Sequence, residues 1–406
     1  MVLTSDIGSE AWWQNIRQQG TPVIGPASQG AHRVTFYWRD PEGDETRSTT
    51  RYVWINITGI TDHHQQTQPQ SLQRIAGTDV WQWQTQLDAR WRGSYSLIPQ
   101  SATEAAQRPP VPDGDMQQTR NWWRELFAAA QGDALNPQHS WKSGRGHTTS
   151  PLHMPLAPPQ PYWLAAEQQP RVPHHFNSYQ WHSERLGNSR TVWVITTGGA
   201  DPASRPLAIL LDGKFWAQTM PVGAPLQAMT DDGELPAAVY LLIDSVDTQQ
   251  RSRELPCNAD FWLAVQQELL PQLRGWASWN NDATRTIVAG QSFGGLSAVY
   301  AALHWPQQFG CALSLSGSFW WPQRDSDEGW LQQQIAGGLA DRPALRFYLE
   351  AGLNEPLITR VNDRLAQQLR AAGHQVDYKQ VYGGHDALCW RGGLTDGLKR
   401  LWSAVT

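Results

Sequence analysis

The chain has 406 residues, more than one hydrophobic core ordinarily serves, so two domains are expected. Hydrophobic residues make up 40% and charged residues 17%, which excludes a disordered or heavily charged chain. A formal net charge of -5 excludes a general attraction to nucleic acid or anionic lipid, so an anionic ligand would need a local basic patch.

The first twenty residues, MVLTSDIGSEAWWQNIRQQG, contain no basic segment followed by an apolar run. No stretch of about 18 apolar residues occurs elsewhere, so a cytoplasmic protein with no membrane partner is expected. Cys257, Cys311 and Cys389 are scattered, odd in number and without metal-ligand spacing. They read as buried free thiols in a reducing compartment.

From Arg33 to about Pro99, short β-rich runs are separated by turn clusters: VTFYW (34–38), RYVWINI (51–57), DVWQWQTQL (79–87) and SYSLI (94–98). This grammar predicts a small antiparallel, Ig-like β-sandwich over 1–150. In the third run, Val80, Gln82 and Gln84 face one side, and Trp81, Trp83 and Thr85 the other. A helix is expected around NWWRELFAAA (121–130), and the Pro-, Ser-, Gly- and His-rich stretch after it reads as an interdomain crossover, with the linker at 151–175. His63 with His64 and His174 with His175 are adjacent pairs lacking a completing ligand spacing, so they are assigned to loops and no metal is expected.

From 176 to 406 the pattern changes. TVWVITT (191–197), LAILLD (207–212), AAVYLLID (237–244), RTIVAG (285–290), CALSLSG (311–317), RFYLEAG (346–352) and YKQVYGG (378–384) are near-continuous apolar runs. They alternate with helical segments such as FWLAVQQELLPQL (261–273), which predicts an α/β catalytic domain with a mostly parallel sheet. In such sheets the chemistry lies beyond the C-terminal strand ends.

One of those ends carries Gly290-Gln291-Ser292-Phe293-Gly294 between a strand and a helical segment. The bare G-x-S-x-G pattern is weak, but the strand-turn-helix context makes Ser292 the candidate nucleophile, with glycines removing clashes around a tight elbow. The last strand runs into Gly383-Gly384-His385-Asp386, which places His385 as general base in the chain order this fold uses. Glu355, just past the penultimate strand, is the preferred orienting acid, and Glu350, Asp386 or a two-residue Ser/His site remain open. The Phe293 N–H and the N–H of Lys214 or Gly213, after the strand LAILLD, are the candidate oxyanion donors.

The order LLDG, Ile243-Asp244 through Arg253-Glu254-Leu255, GQSFGG, SLSGSFWW and GGHD resembles the esterase-D-type branch of α/β hydrolases over roughly 190–395. RIAGTDVWQW (74–83) followed by WRGSYSLIP (91–99) resembles the amino-terminal domain of enterochelin (ferric enterobactin) esterases. The resemblance implies a cytoplasmic enzyme that hydrolyses the trilactone of an iron-loaded catecholate siderophore to dihydroxybenzoyl-serine units, allowing iron release. It supports Ser292 and His385. At the acid, Glu355 stands where related hydrolases commonly carry Asp.

An anionic, aromatic substrate calls for cations and aromatic surfaces. Lys214, Trp216, Arg253, Trp320, Trp321, Trp390 and Arg391 lie in or beside the segments that follow strands and are the candidate substrate contacts. The expected partner is this small molecule, with no nucleic acid and no cofactor; the sequence leaves the oligomeric state open. A carboxylesterase or acyltransferase acting on another ester would use the same triad. A non-catalytic siderophore carrier would not need the serine elbow.

Overall fold

The structure is a computed structural model that describes residues 6–143, 146–169, 175–324, 326–341 and 343–403, with only the backbone of residue 175. His174 lies outside the described residues. Two compact units result. The first comprises residues up to Pro158 together with Leu353–Glu355 and Tyr382–Cys389; the second comprises Pro159–Gly352, Pro356–Val381 and the residues from Trp390 on.

The first unit contains β1 (Val23–Ser28), β2 (Ala31–Arg39), β3 (Thr50–Ile57), β4 (Gln70–Arg74), β5 (Val80–Asp88), β6 (Arg92–Ser101), β7 (Trp141–Lys142) and β8 (Thr148–His153). They join in the order β1-β2-β5-β4-β3-β6-β8-β7, and the pairings are antiparallel. The two-residue side-chain period predicted for β5 organises its packing. Trp81 and Leu87 enter a core with Phe36, Ile55 and Tyr95, while Val80 on the other face packs with Trp12, Trp13 and Tyr37. The helix Met116–Leu126 buries Trp122, Trp123 and Leu126 against Trp54 and Ile98.

The second unit contains β9 (His175–Ser183), β10 (Asn188–Thr196), β11 (Leu207–Leu211), β12 (Val239–Ile243), β13 (Ile287–Gln291), β14 (Cys311–Leu315), β15 (Arg346–Gly352) and β16 (Gln375–Val381). Their order is β16-β15-β14-β13-β11-β12-β10-β9. Pairings from β16 through β12 are parallel, and every residue of β11, β12, β13 and β14 is buried, which is why these runs read as continuously apolar.

Three expectations need revision. TVWVITT, read as part of a parallel sheet, forms β10, which is antiparallel to both β12 and β9; an apolar run reports burial, not direction. The stretch expected as a linker, 151–175, instead holds the end of β8, paired to β6, and a helix at Pro161–Gln168 whose Pro occupies the first turn, where no N–H is needed. His63 and His64 do have an acidic neighbour. They sit in a 3₁₀ turn whose N-cap is Asp62, and ligand-capable atoms of the three residues lie within 4.8 Å of one another. Cys257, Cys311 and Cys389 are free, the last two buried. No helix among the described residues is long and apolar enough to cross a membrane.

Candidate active site

Ser292 is the turn between β13 and the helix Phe293–His304, with φ 57° and ψ -119°. A non-glycine residue there is strained and persists only where its surroundings fix it. Its N–H donates to the Leu315 carbonyl at 2.9 Å, and its carbonyl accepts from the Ser318 N–H at 3.1 Å. Of the flanking glycines, Gly290 is required by close approach: its Cβ would lie 2.5–2.8 Å from the backbone of Gly294, whereas a Cβ on Gly294 would meet nothing nearer than 3.6 Å. The Ser292 hydroxyl is 3.2 Å from that of Ser318, a buried neighbour that sequence reasoning did not single out.

Phe293 opens the helix, so its N–H belongs to the first-turn donors that have no partner within the helix. Asp212, at the end of β11, also has positive φ, 56°, and turns the chain so that the following N–H groups open another helical turn. One side chain joins these two turns. The Arg251 guanidinium donates to both Asp212 carboxylate oxygens, at 2.7 and 2.8 Å, and to the carbonyl of Gln291, next to Ser292, at 3.3 Å. Ser245 Oγ adds a 2.7 Å bond to the same carboxylate. Burial opposes the charge on Arg251, but Asp212 outweighs it and holds the pKa above its ordinary value. The sequence reading named Arg253 as a candidate substrate contact and passed over Arg251. Both lie in the helix Thr248–Glu254, and two residues along a helix point to different faces: Arg251 turns inward and Arg253 is exposed.

In the first unit, His385 Nδ1 lies 2.7 Å from Glu355 Oε2. The Glu355 side chain is 0% exposed and that of His385 20%, so a dry carboxylate faces an imidazole that still reaches solvent. Asn354 N–H donates to the Gly383 carbonyl at 2.9 Å and joins the two loops. The rival acids are engaged elsewhere. Glu350 is buried beside the Tyr348 hydroxyl and the backbone of Gly393, and Asp386 accepts from Ser94. Gly383 and Gly384 are required by close packing: a Cβ on Gly384 would lie 2.8 Å from Gly59 Cα, and one on Gly383 would lie 2.8 Å from the Arg92 carbonyl. The His64 ring centroid is 5.5 Å from that of His385.

The candidate substrate contacts divide by exposure. Lys214 is exposed, and its charge opposes the upward push that burial gives the Asp244 carboxyl. Trp321 and Trp390 are half-buried, and Trp390 Nε1 donates to Ser316 Oγ at 3.0 Å. Three residues are used inside the fold. Trp216 is 1% exposed and donates to Gln291 Oε1 at 3.2 Å; Trp320 is 6% exposed and packs on Phe293; Arg391 is 1% exposed and bonded to Gln160 and Glu167. Amphipathic side chains bury their apolar bodies readily, so their position after a strand did not determine their exposure.

Residues 33–163 match the family described as "Enterochelin esterase, N-terminal", and residues 183–401 the one described as "Putative esterase". The chain is 54% identical over 400 residues to the iron(III) enterobactin esterase of Escherichia coli (strain K12), covering 98% of each chain. Its structure is similar to that of the ferric enterobactin esterase from Salmonella typhimurium, with TM-score 0.90, 55% identity, and 98% of this chain and 99% of that one covered. It is also similar to the enterobactin esterase from Shigella flexneri in the presence of enterobactin, with TM-score 0.87, 52% identity, and 99% and 100% covered.

Proposed function

Because this chain belongs to the iron(III) enterobactin esterase family, we propose that it hydrolyses the trilactone ester bonds of ferric enterobactin to dihydroxybenzoyl-serine units, allowing iron release. The observation that carries the chemistry is the strained elbow at Ser292, φ 57°, which lifts a hydroxyl from the end of β13.

In the reaction we propose, His385 Nε2 takes the Ser292 hydroxyl proton as Oγ attacks the ester carbonyl carbon. The Phe293 and Lys214 backbone N–H groups donate to the oxyanion. The ester C–O bond then breaks, and the departing seryl oxygen takes the proton from His385. Water, deprotonated by the same imidazole, attacks the acyl-enzyme, and Ser292 recovers its proton as the acid product leaves. Glu355, bonded to Nδ1, holds the imidazole in one tautomer and stabilises its cation. Lys214, Arg253, Trp321 and Trp390 remain as substrate contacts, because a ferric tris-catecholate is anionic and aromatic.

We read the first unit as an Ig-like sandwich ending near residue 158; a core drawing on β2 and β5 as well as β3 and β6 supports this. We read the second unit as a mostly parallel α/β-hydrolase sheet, and the parallel run from β16 to β12 supports that. We place the enzyme in the cytoplasm, where three free thiols persist.

Incubation with cyclic ferric enterobactin, with products followed by mass, tests the reading. Successive addition of water to give the linear trimer, then smaller units, is expected; an unchanged cyclic trilactone would overturn it.

A further inference from the structure

The segments carrying the candidate base and acid, Tyr382–Cys389 and Leu353–Glu355, group with the amino-terminal unit although they follow strands of the second. The reason is visible at Asp386, next to His385. Its buried carboxylate accepts from Ser94 N–H at 2.7 Å, Ser94 Oγ at 3.0 Å and Leu388 N–H at 2.8 Å, with the Thr58 hydroxyl a further donor. Donors thus occupy most of the lone-pair directions of the two oxygens. Ser94 belongs to β6, and its neighbour Arg92 donates its N–H to the Tyr382 carbonyl at 2.9 Å. The acid loop is fixed similarly, with Gln65 Nε2 donating to the Asn354 carbonyl at 2.8 Å. At Gly59, the absent side chain allows Gly384 and Asn354 to approach.

We propose that the amino-terminal unit positions the general base: through Ser94 and Asp386 it holds the His385 loop so that the imidazole stays in register with Glu355. This rests on the reading of His385 as base. Burial pushes the Asp386 carboxyl up and the four donors oppose that shift, which fits a group held for its hydrogen bonds and not for its charge in solvent. Ser94 touches no reacting atom in this account and is a positioning residue. Displacement of a catalytic group by about 1 Å is enough to lower turnover by on the order of 10²-fold.

The test uses the full chain with Ser94→Ala, Ser94→Thr and Asp386→Asn, measuring kcat and KM on ferric enterobactin and on p-nitrophenyl acetate, beside thermal unfolding. Ser94→Ala should lower kcat on both esters by on the order of 10- to 10²-fold with KM for the siderophore little changed. Ser94→Thr, which keeps the hydroxyl, should recover most of it, and Asp386→Asn should repeat the loss. A rise in KM for the siderophore alone, with the small ester turned over at the wild-type rate, would make the unit a substrate-binding element and overturn the proposal. So would a kcat loss that follows the unfolded fraction and is not recovered in Ser94→Thr. Ser292-dependent turnover of p-nitrophenyl acetate without turnover of ferric enterobactin would instead refute the substrate assignment, and the small-ester measurements would still decide the role of Ser94.

Discussion

The imidazole Nδ1 of His385 meets Oε2 of Glu355 at 2.7 Å, and the carboxylate is excluded from solvent. In the mechanism we propose, the acid fixes the tautomer that leaves Nε2 able to accept a proton. Glu355→Gln keeps the shape and removes the charge, and should lower kcat by on the order of 10³- to 10⁴-fold with the fold intact. Glu355→Asp draws the carboxylate back by one methylene and should cost less, on the order of 10²-fold. Steady-state kinetics on the two variants check the order; equal losses would show that reach is immaterial.

Arg251 bridges the turn after β11 and the carbonyl beside Ser292. Arg251→Gln leaves the Asp212 carboxylate short of its bidentate partner and loosens both turns that we propose supply the oxyanion donors, so kcat should fall by on the order of 10²-fold while KM moves little. Arg251→Lys should recover part of this, since ammonium keeps the charge without the fork. Arg253→Gln should change KM for the anionic substrate, not kcat. Reversal of this pattern between Arg251 and Arg253 would overturn both assignments, the contact role of Arg253 included.

The contrast between these arginines shows what was legible in the chain. Ser292, His385 and Glu355 stood out as candidates because strand-ending turns carry their own grammar, glycines and polar residues closing apolar runs. Arg251, Trp216 and Arg391 were missed or misassigned because their roles depend on which helix face or loop side turns inward, information that lies in tertiary packing. β9 and β8 escaped because their polar-rich sequences, HFNSYQWHS and TTSPLH, lack apolar runs and are strands through their pairing with β10 and β6. The capture of the His385 loop by the first unit was invisible for the same reason: Ser94 and Asp386 are 292 positions apart.

Gly290→Ala tests the elbow as a packing constraint. Its Cβ would press on the Gly294 backbone, which has no side chain to yield. Overpacking of this kind costs about 1–3 kcal/mol. The urea midpoint should fall accordingly, and activity should fall further because Ser292 moves with the turn. An unchanged midpoint would mean that the turn relaxes freely.

Lys214 is exposed at the helical turn after Asp212. If it contacts a polyanionic substrate, Lys214→Gln should raise KM for ferric enterobactin and flatten its rise with salt, leaving a neutral ester nearly unaffected because the backbone N–H remains. Equal effects on both substrates would remove the side chain from the binding site.

We propose that Ser292 is the nucleophile of a ferric enterobactin esterase. The most direct measurement compares wild type and Ser292→Ala for hydrolysis of ferric enterobactin, and for binding through quenching of tryptophan fluorescence. Turnover should fall by on the order of 10³-fold or more while the dissociation constant stays within a few-fold of wild type. Hydrolysis by Ser292→Ala at near the wild-type rate would contradict it.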